Sequence, residues 1–61
     1  MMDEDPIYED GDRVYAYRYH TACTVLLHRV RDDQYVYDLA GHDGRRYNDV
    51  PEDEIGRVLM E

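Results

Sequence analysis

The 61-residue chain contains no lysine, tryptophan or phenylalanine, and it has a single cysteine. One cysteine cannot form an intramolecular disulfide, whereas a secreted chain this short normally relies on two or more. No apolar run approaches the roughly 20 residues of a membrane helix, and the acidic N-terminus lacks the basic and then apolar pattern of a signal peptide. We therefore expect an intracellular protein, cytoplasmic or nuclear, without membrane association.

The motifs on which enzymes and metal sites depend are also absent. There is no glycine-rich phosphate loop, and no carboxylate pair stands out from the general acidity. The residues His20, Cys23, His28 and His42 lack the paired spacing of a zinc module. Because Cys23 falls at an inward position of a predicted strand, it is interpreted as a small buried hydrophobe rather than a nucleophile. The sequence predicts no enzymatic activity, no metal and no cofactor.

At 7.3 kDa the chain has room for one small domain. A domain of this size buries only about 60% of the surface that its unfolded chain exposes, which excludes doubly wound α/β enzymes and TIM barrels. Residues 1–8 carry several acids without periodicity and are predicted to be a tail that packs Ile7 or Tyr8 onto the domain edge. Residues 9–61 are predicted to form the single domain.

The chain is strongly acidic, because it has fifteen Asp and Glu residues against seven arginines and a formal charge of -8. Such a balance argues against direct binding to nucleic acid phosphates or anionic membranes, and it favours a basic protein or peptide partner. Two other origins stay open. A salt-rich cytoplasm favours acids without lysine, and in that case the acidity says little about partners. A GC-rich genome would also favour arginine over lysine.

Short segments of alternating apolar and polar residues predict strands at 12–19, 22–30, 34–39 and 45–50. After Pro51 the chain is expected to form one turn of 3₁₀ helix and then a short strand at 57–59. The alternative is a single C-terminal helix that buries Ile55, Val58 and Leu59. The residues predicted to face inward are Val14, Ala16, Cys23, Val25, Leu27, Tyr35, Tyr37, Leu39, Val50, Ile55 and Val58.

Together these segments predict an all-β fold, a small antiparallel barrel of four to five strands. From Gly11 to Leu59 the chain resembles the Tudor-like branch of the SH3-like barrels. The segments that carry the resemblance are Gly11-Asp12-Arg13-Val14-Tyr15-Ala16, Cys23-Thr24-Val25-Leu26, Tyr35-Val36-Tyr37-Asp38-Leu39, Asp43-Gly44, Tyr47 and Val50-Pro51-Glu52-Asp53-Glu54-Ile55. The resemblance implies an SH3-like barrel with a short 3₁₀ turn near the C-terminus.

Tudor-like modules bind methylated lysine or arginine in an aromatic cage, because ring faces attract a cation. Here Tyr17 and Tyr19 occupy the first cage zone, but Thr21, Leu39 and His42 stand where other aromatics are expected. Four tyrosines are predicted to face outward, Tyr15, Tyr17, Tyr19 and Tyr47. They fit either a recognition surface or ordinary cross-strand pairing on a solvated sheet. The candidate ligand-binding residues are Tyr15, Tyr17, Tyr19, Asp38, His42, Asp43 and Tyr47.

The leading hypothesis is a non-enzymatic module that recognises an arginine-rich or methylated basic segment through exposed tyrosines. One alternative is an acidic DNA mimic that blocks a nucleic-acid-binding protein, since the acid clusters imitate phosphate spacing. Another is a salt-adapted small structural subunit. A monomer or a weak homodimer paired through sheet edges is expected.

Overall fold

The computed structural model describes residues 5–58, which form an all-β fold with one turn of 3₁₀ helix, as predicted. Within these residues no helix is long and apolar enough to cross a bilayer. The elements are β1 (Arg13–Ala16), β2 (Thr21–Arg31), β3 (Gln34–Gly41), β4 (Arg46–Pro51), the 3₁₀ turn (Glu52–Glu54) and β5 (Ile55–Arg57).

The C-terminal segment pairs as a strand, so the alternative of a single helix is wrong. Ile55 has extended backbone angles (φ -122°, ψ 142°), and β5 runs antiparallel to β1 with Gly56 opposite Tyr15. The strand starts two residues earlier than predicted, because the 3₁₀ turn delivers Ile55 directly to β1. The predicted strand end at Leu59 lies outside the described residues.

All five strands belong to one antiparallel sheet in the order β4-β3-β2-β1-β5. In a flat sheet the edge strands β4 and β5 would lie about 19 Å apart, four spacings of about 4.8 Å. The link from Pro51 to Ile55 can span at most about 14 Å. The sheet must therefore curl, but among the described residues β4 and β5 do not pair with each other, so it is not closed into a barrel.

Strand β1 is shorter than the predicted strand at 12–19. Alternation of apolar and polar residues continues to Tyr19, yet the strand ends at Ala16, which pairs with Thr21. The four residues between them reverse the chain, with His20 in the left-handed region at φ 54°. Tyr17 and Tyr19 consequently lie in a turn, because tertiary pairing of β1 with β2 overrides the local strand pattern.

A bulge in β2 makes the prediction for Leu27 wrong. Val25 pairs with Leu39, but Leu27 pairs with Asp38, so Leu26 is an extra residue in β2. An extra residue exchanges the two faces of the strand beyond it. Leu27 is therefore 41% exposed instead of buried.

A second bulge, in β4, makes the outward assignment of Tyr47 wrong. Tyr37 pairs with Val50 and Leu39 pairs with Tyr47, which leaves one extra residue in β4. Asp49 has a left-handed backbone there (φ 55°), and its N–H donates to Asp38 Oδ1 at 3.1 Å. The bulge places both Val50 and Tyr47 toward the core, against which Tyr47 packs while half-buried.

Apart from Val36, the buried hydrophobic residues of the sheet pack together in one cluster with Tyr8. Tyr35, predicted to be inward, packs at its border and is only half-buried, as is Val58. Val36, which alternation places on the face of β3 opposite to Tyr35 and Tyr37, is also buried, and its cross-strand neighbours there are Arg29 and Pro51. The buried hydrophobic residues are Tyr8, Val14, Ala16, Cys23, Val25, Val36, Tyr37, Leu39, Val50 and Ile55.

Tyr8, from the predicted tail, is part of this core, whereas Ile7 is 55% exposed. The Tyr8 hydroxyl donates to the Ile55 carbonyl at 3.2 Å, and its ring meets Tyr37 edge-on at 5.6 Å. The Tyr37 hydroxyl donates to Glu52 Oε2 at 2.5 Å and accepts the Tyr8 N–H at 3.4 Å. We name Tyr8, Tyr37 and Glu52 the core cluster; it ties the N-terminal segment to β3 and the 3₁₀ turn.

Candidate functional site

Two turns meet at one end of the sheet. The β1–β2 turn comprises residues 17–20, and the β3–β4 turn comprises residues 42–45. The His42 N–H donates to the Ala22 carbonyl at 2.8 Å, which fastens the second turn beside the start of β2. Side chains from both turns and from the start of β4 can therefore touch.

The β3–β4 turn has a defined geometry that presents Asp43. The Gly41 N–H donates to the Arg45 carbonyl at 2.7 Å, and Gly44 completes the reversal with φ 88°. Asp43 Oδ1 accepts the Arg45 N–H at 3.0 Å, as short acidic side chains often do in turns. The carboxylate is thereby held in place while staying exposed.

Tyr19, Tyr47 and Asp43 come together where the two turns meet, and we name them the turn cluster. The rings of Tyr19 and Tyr47 stack with centroids 4.1 Å apart and planes 20° from parallel. The Tyr47 hydroxyl donates to Asp43 Oδ2 at 2.5 Å. Gly41 permits this packing, because a Cβ there would collide with Asp43 Oδ1 and lie 2.8 Å from Tyr47 Cε2.

The hydrogen bond within the turn cluster shifts both titratable groups. It lowers the pKa of Asp43, with further help from the Arg45 N–H, and it raises the pKa of Tyr47. Each partner is thus stabilised in the form it already has at neutral pH, an ionised carboxylate and a neutral phenol. The cluster presents negative charge beside two aromatic rings.

Tyr15 and Tyr17 form a separate pair. Their ring centroids lie 5.7 Å apart and the planes are tilted by 57°. Tyr15 pairs with Ala22 and Gly56, and a Cβ on Gly56 would collide with the Tyr17 hydroxyl. The pair therefore lies over β1 and β5. Of the four candidate tyrosines, the structure stacks only Tyr19 with Tyr47.

Asp38 lies outside the turn cluster and is engaged within the sheet. It forms an ion pair with Arg29 on β2 and accepts the Asp49 N–H at 3.1 Å. Asp49 in turn contacts Arg31 at 2.5 Å. The side chain of Asp38 is only 13% exposed, so its carboxylate secures the β2–β3–β4 face rather than facing a ligand.

His42 shares the turn with Asp43 and is exposed, but the contact that positions it is its backbone bond to Ala22. Two residues that contribute to the site are not among the candidates predicted from the sequence. One is Gly41, which makes room for the Tyr47 ring. The other is Arg18, whose guanidinium carbon lies 5.9 Å from the Tyr19 ring centroid. The sequence signal for Arg18 was its position between Tyr17 and Tyr19.

Among residues 5–58, no group of three or more His, Cys, Asp or Glu side chains is arranged to hold a metal ion. No protein-family model, curated protein or solved structure matches the chain. The case for a function therefore rests on the geometry and charge of the residues themselves.

Proposed function

We propose that this protein is a non-enzymatic binding module of the SH3-like, Tudor-like type that recognises a basic segment of a protein or peptide through the turn cluster. The observation that carries the proposal is the stacked pair Tyr19–Tyr47 with the Asp43 carboxylate bonded to its edge. Aromatic faces attract cations, and an adjacent carboxylate adds a direct charge interaction.

The fold part of the proposal is supported by the strand order. β5 returns to pair with β1, and a three-residue 3₁₀ turn links it to β4 on the opposite edge. This connection curls the sheet toward a barrel. An SH3-like barrel is the closed form of such a sheet, and we propose it as the architecture.

The choice of a basic ligand is supported by charge at two scales. The protein carries a formal charge of -8, so a cationic segment is attracted from a distance. At short range Asp43 is held ionised and exposed. The charge of Asp38, by contrast, is already balanced by its ion pair with Arg29. We therefore centre recognition on Asp43, with His42 beside it, and place the separate Tyr15–Tyr17 pair outside the binding surface.

The test is an amide NMR titration of the labelled protein with an arginine-rich peptide, a trimethyl-lysine peptide and, separately, a short DNA duplex. We expect shifts around Tyr19, Asp43 and Tyr47 with a basic peptide. Tyr19→Ala should weaken binding about tenfold, the loss expected for a cation–aromatic contact with its neighbouring packing. Tyr17→Ala is the matched control, because it removes an exposed tyrosine from outside the turn cluster.

Saturating titrations that shift no residue of the turn cluster in a well-folded protein would contradict the proposal. In a pull-down with this protein as bait, a nucleic-acid-binding protein that is captured and then released by added DNA would instead support the acidic DNA-mimic hypothesis. Equal losses from Tyr17→Ala and Tyr19→Ala would show that binding is not centred on the turn cluster and extends to the Tyr15–Tyr17 pair.

A further inference from the structure

Arg18 places a cation of the protein's own at the proposed binding surface. It is an exposed residue of the β1–β2 turn, and its guanidinium carbon lies over the Tyr19 ring at 5.9 Å from the centroid. This distance is close to the outer limit of about 6 Å for a cation–aromatic contact. The contact is therefore weak enough for another cation to replace it.

The stacking of Tyr19 on Tyr47 determines which ring face a ligand can use. Aromatic groups touch at about 3.5–4 Å, so a cation between two rings needs a separation near 7 Å. The centroids are only 4.1 Å apart, which leaves no space between the rings. Because Tyr47 covers one face of Tyr19, we assign Arg18, 5.9 Å from the Tyr19 centroid, to the opposite face.

We propose that Arg18 occupies, in the unliganded protein, the Tyr19 face that an arginine side chain of the partner takes, and that binding displaces it. The inference rests on the proposed function and deepens it by naming the recognised group. A planar guanidinium can stack on a single ring face and reach a carboxylate with its N–H groups. A trimethylammonium group gains most from several rings around it, an arrangement that the stacked pair does not offer.

A peptide can bind only those molecules in which Arg18 has left the Tyr19 face. The apparent affinity therefore equals the intrinsic affinity multiplied by the fraction of molecules in that state. Removal of the Arg18 side chain should therefore tighten binding of an arginine peptide. Because the internal contact is weak and exposed, we expect a gain of about threefold. The preference for arginine over trimethyl-lysine should persist in the variant, since the stacked pair is unchanged.

The experiment compares Arg18→Ala with Arg57→Ala in titrations with the same arginine peptide. Both substitutions change the net charge equally, and Arg46→Ala, which removes a charge next to Tyr47 in the chain, controls for the loss of a cation close to the turn cluster, because screened attraction falls with distance. Arg57 also lies over a ring, that of Tyr8 at 5.4 Å, which belongs to the core and not to the turn cluster. Arg46→Ala is a second charge-matched control if Arg57→Ala loosens the fold. A larger gain for Arg18→Ala than for either control supports displacement.

A second measurement needs no variant of the site. In the free protein the ring current of Tyr19 should shift the Arg18 side-chain resonances, and saturating peptide should return them to ordinary values. Equal gains in all three variants, weaker binding in Arg18→Ala, or Arg18 resonances that ignore the peptide would overturn the inference while leaving the proposed function standing. Absence of binding by every variant would instead refute the proposed function itself.

Discussion

The core cluster and the turn cluster contain the same chemical pair, a tyrosine hydroxyl that donates to a carboxylate at 2.5 Å. Their surroundings differ. Tyr37 is fully buried and its hydroxyl also accepts a backbone N–H, whereas Tyr47 is half-buried and its partner Asp43 is exposed. Because water competes only at the exposed site, the same bond stabilises the fold in one place and shapes a surface in the other.

The largest contrast is expected from removal of one aromatic ring at each place. Tyr8→Ala deletes a ring packed in the core and its bond to Ile55, which should cost about 3–5 kcal/mol and leave so small a domain partly unfolded. Tyr19→Ala, on the exposed side, should cost only about 1 kcal/mol, mainly the loss of stacking on Tyr47. Urea unfolding followed by circular dichroism measures both. Similar losses would show that the turn cluster is also a stability element.

Removal of the hydroxyl alone sharpens the comparison. Tyr37→Phe leaves the Tyr8 N–H and the Glu52 carboxylate without this partner in the core, at a cost of about 1–3 kcal/mol. Tyr47→Phe should leave the unfolding midpoint unchanged, because water can solvate the released Asp43 carboxylate. Both variants keep the ring, so the same urea titration isolates the hydrogen bond. A Tyr37→Phe midpoint equal to that of the unsubstituted protein would contradict the structural role of the bond.

Alkaline pH should lower the stability of the folded protein through the tyrosines of the core cluster. Burial, and then the bond to Glu52, raises the pKa of Tyr37, and burial raises that of Tyr8. The folded state therefore favours the neutral phenols. Their contribution to stability is complete below the ordinary pKa of 10.0 and is lost as the pH rises beyond it. Urea midpoints should fall between about pH 9 and pH 11, and less so in Tyr37→Phe. An equal fall in Tyr37→Phe would assign the effect to other groups.

The smallest expected effect is a change in the pKa of Tyr47 within the turn cluster. Asp43 is the main cause of the raised pKa of Tyr47, so Asp43→Asn should bring that pKa back toward its ordinary value without unfolding the protein. The pKa of Tyr47 is measured from the pH dependence of its ring resonances in NMR. Asp53→Asn, in the exposed part of the 3₁₀ turn, removes the same charge elsewhere and should move the Tyr47 pKa less. Equal shifts would mean that overall charge, and not the hydrogen bond, is responsible.

Local patterns were sufficient to predict most of the strands. β2, β3 and β4 lie within two residues of their predicted bounds, and the 3₁₀ turn follows Pro51 as expected. Alternation also identified most of the core. The errors at Leu27 and Tyr47 both follow bulges, where one inserted residue exchanges the two faces. A pattern of period two contains no sign of where such a residue is inserted.

The candidate site was predictable only as a set of residue types. Tyr19, Asp43 and Tyr47 were all among the candidates, but the sequence could not separate them from Tyr15, Tyr17 and Asp38. What separates them are contacts between distant segments, such as the His42 bond to Ala22 and the ion pair of Asp38 with Arg29. The same holds for Tyr8, which reaches the core only because Tyr37 and Ile55 lie opposite it.

The sequence by itself determined the all-β class, the succession of strands and the acidic, tyrosine-rich surface, because these follow from local alternation, turn residues and composition. Only the tertiary structure decided which tyrosines are buried and which meet at a surface. The physical reason is that a hydroxyl–carboxylate bond has the same local signature everywhere, while its burial depends on bulges, sheet curvature and pairing across the whole chain.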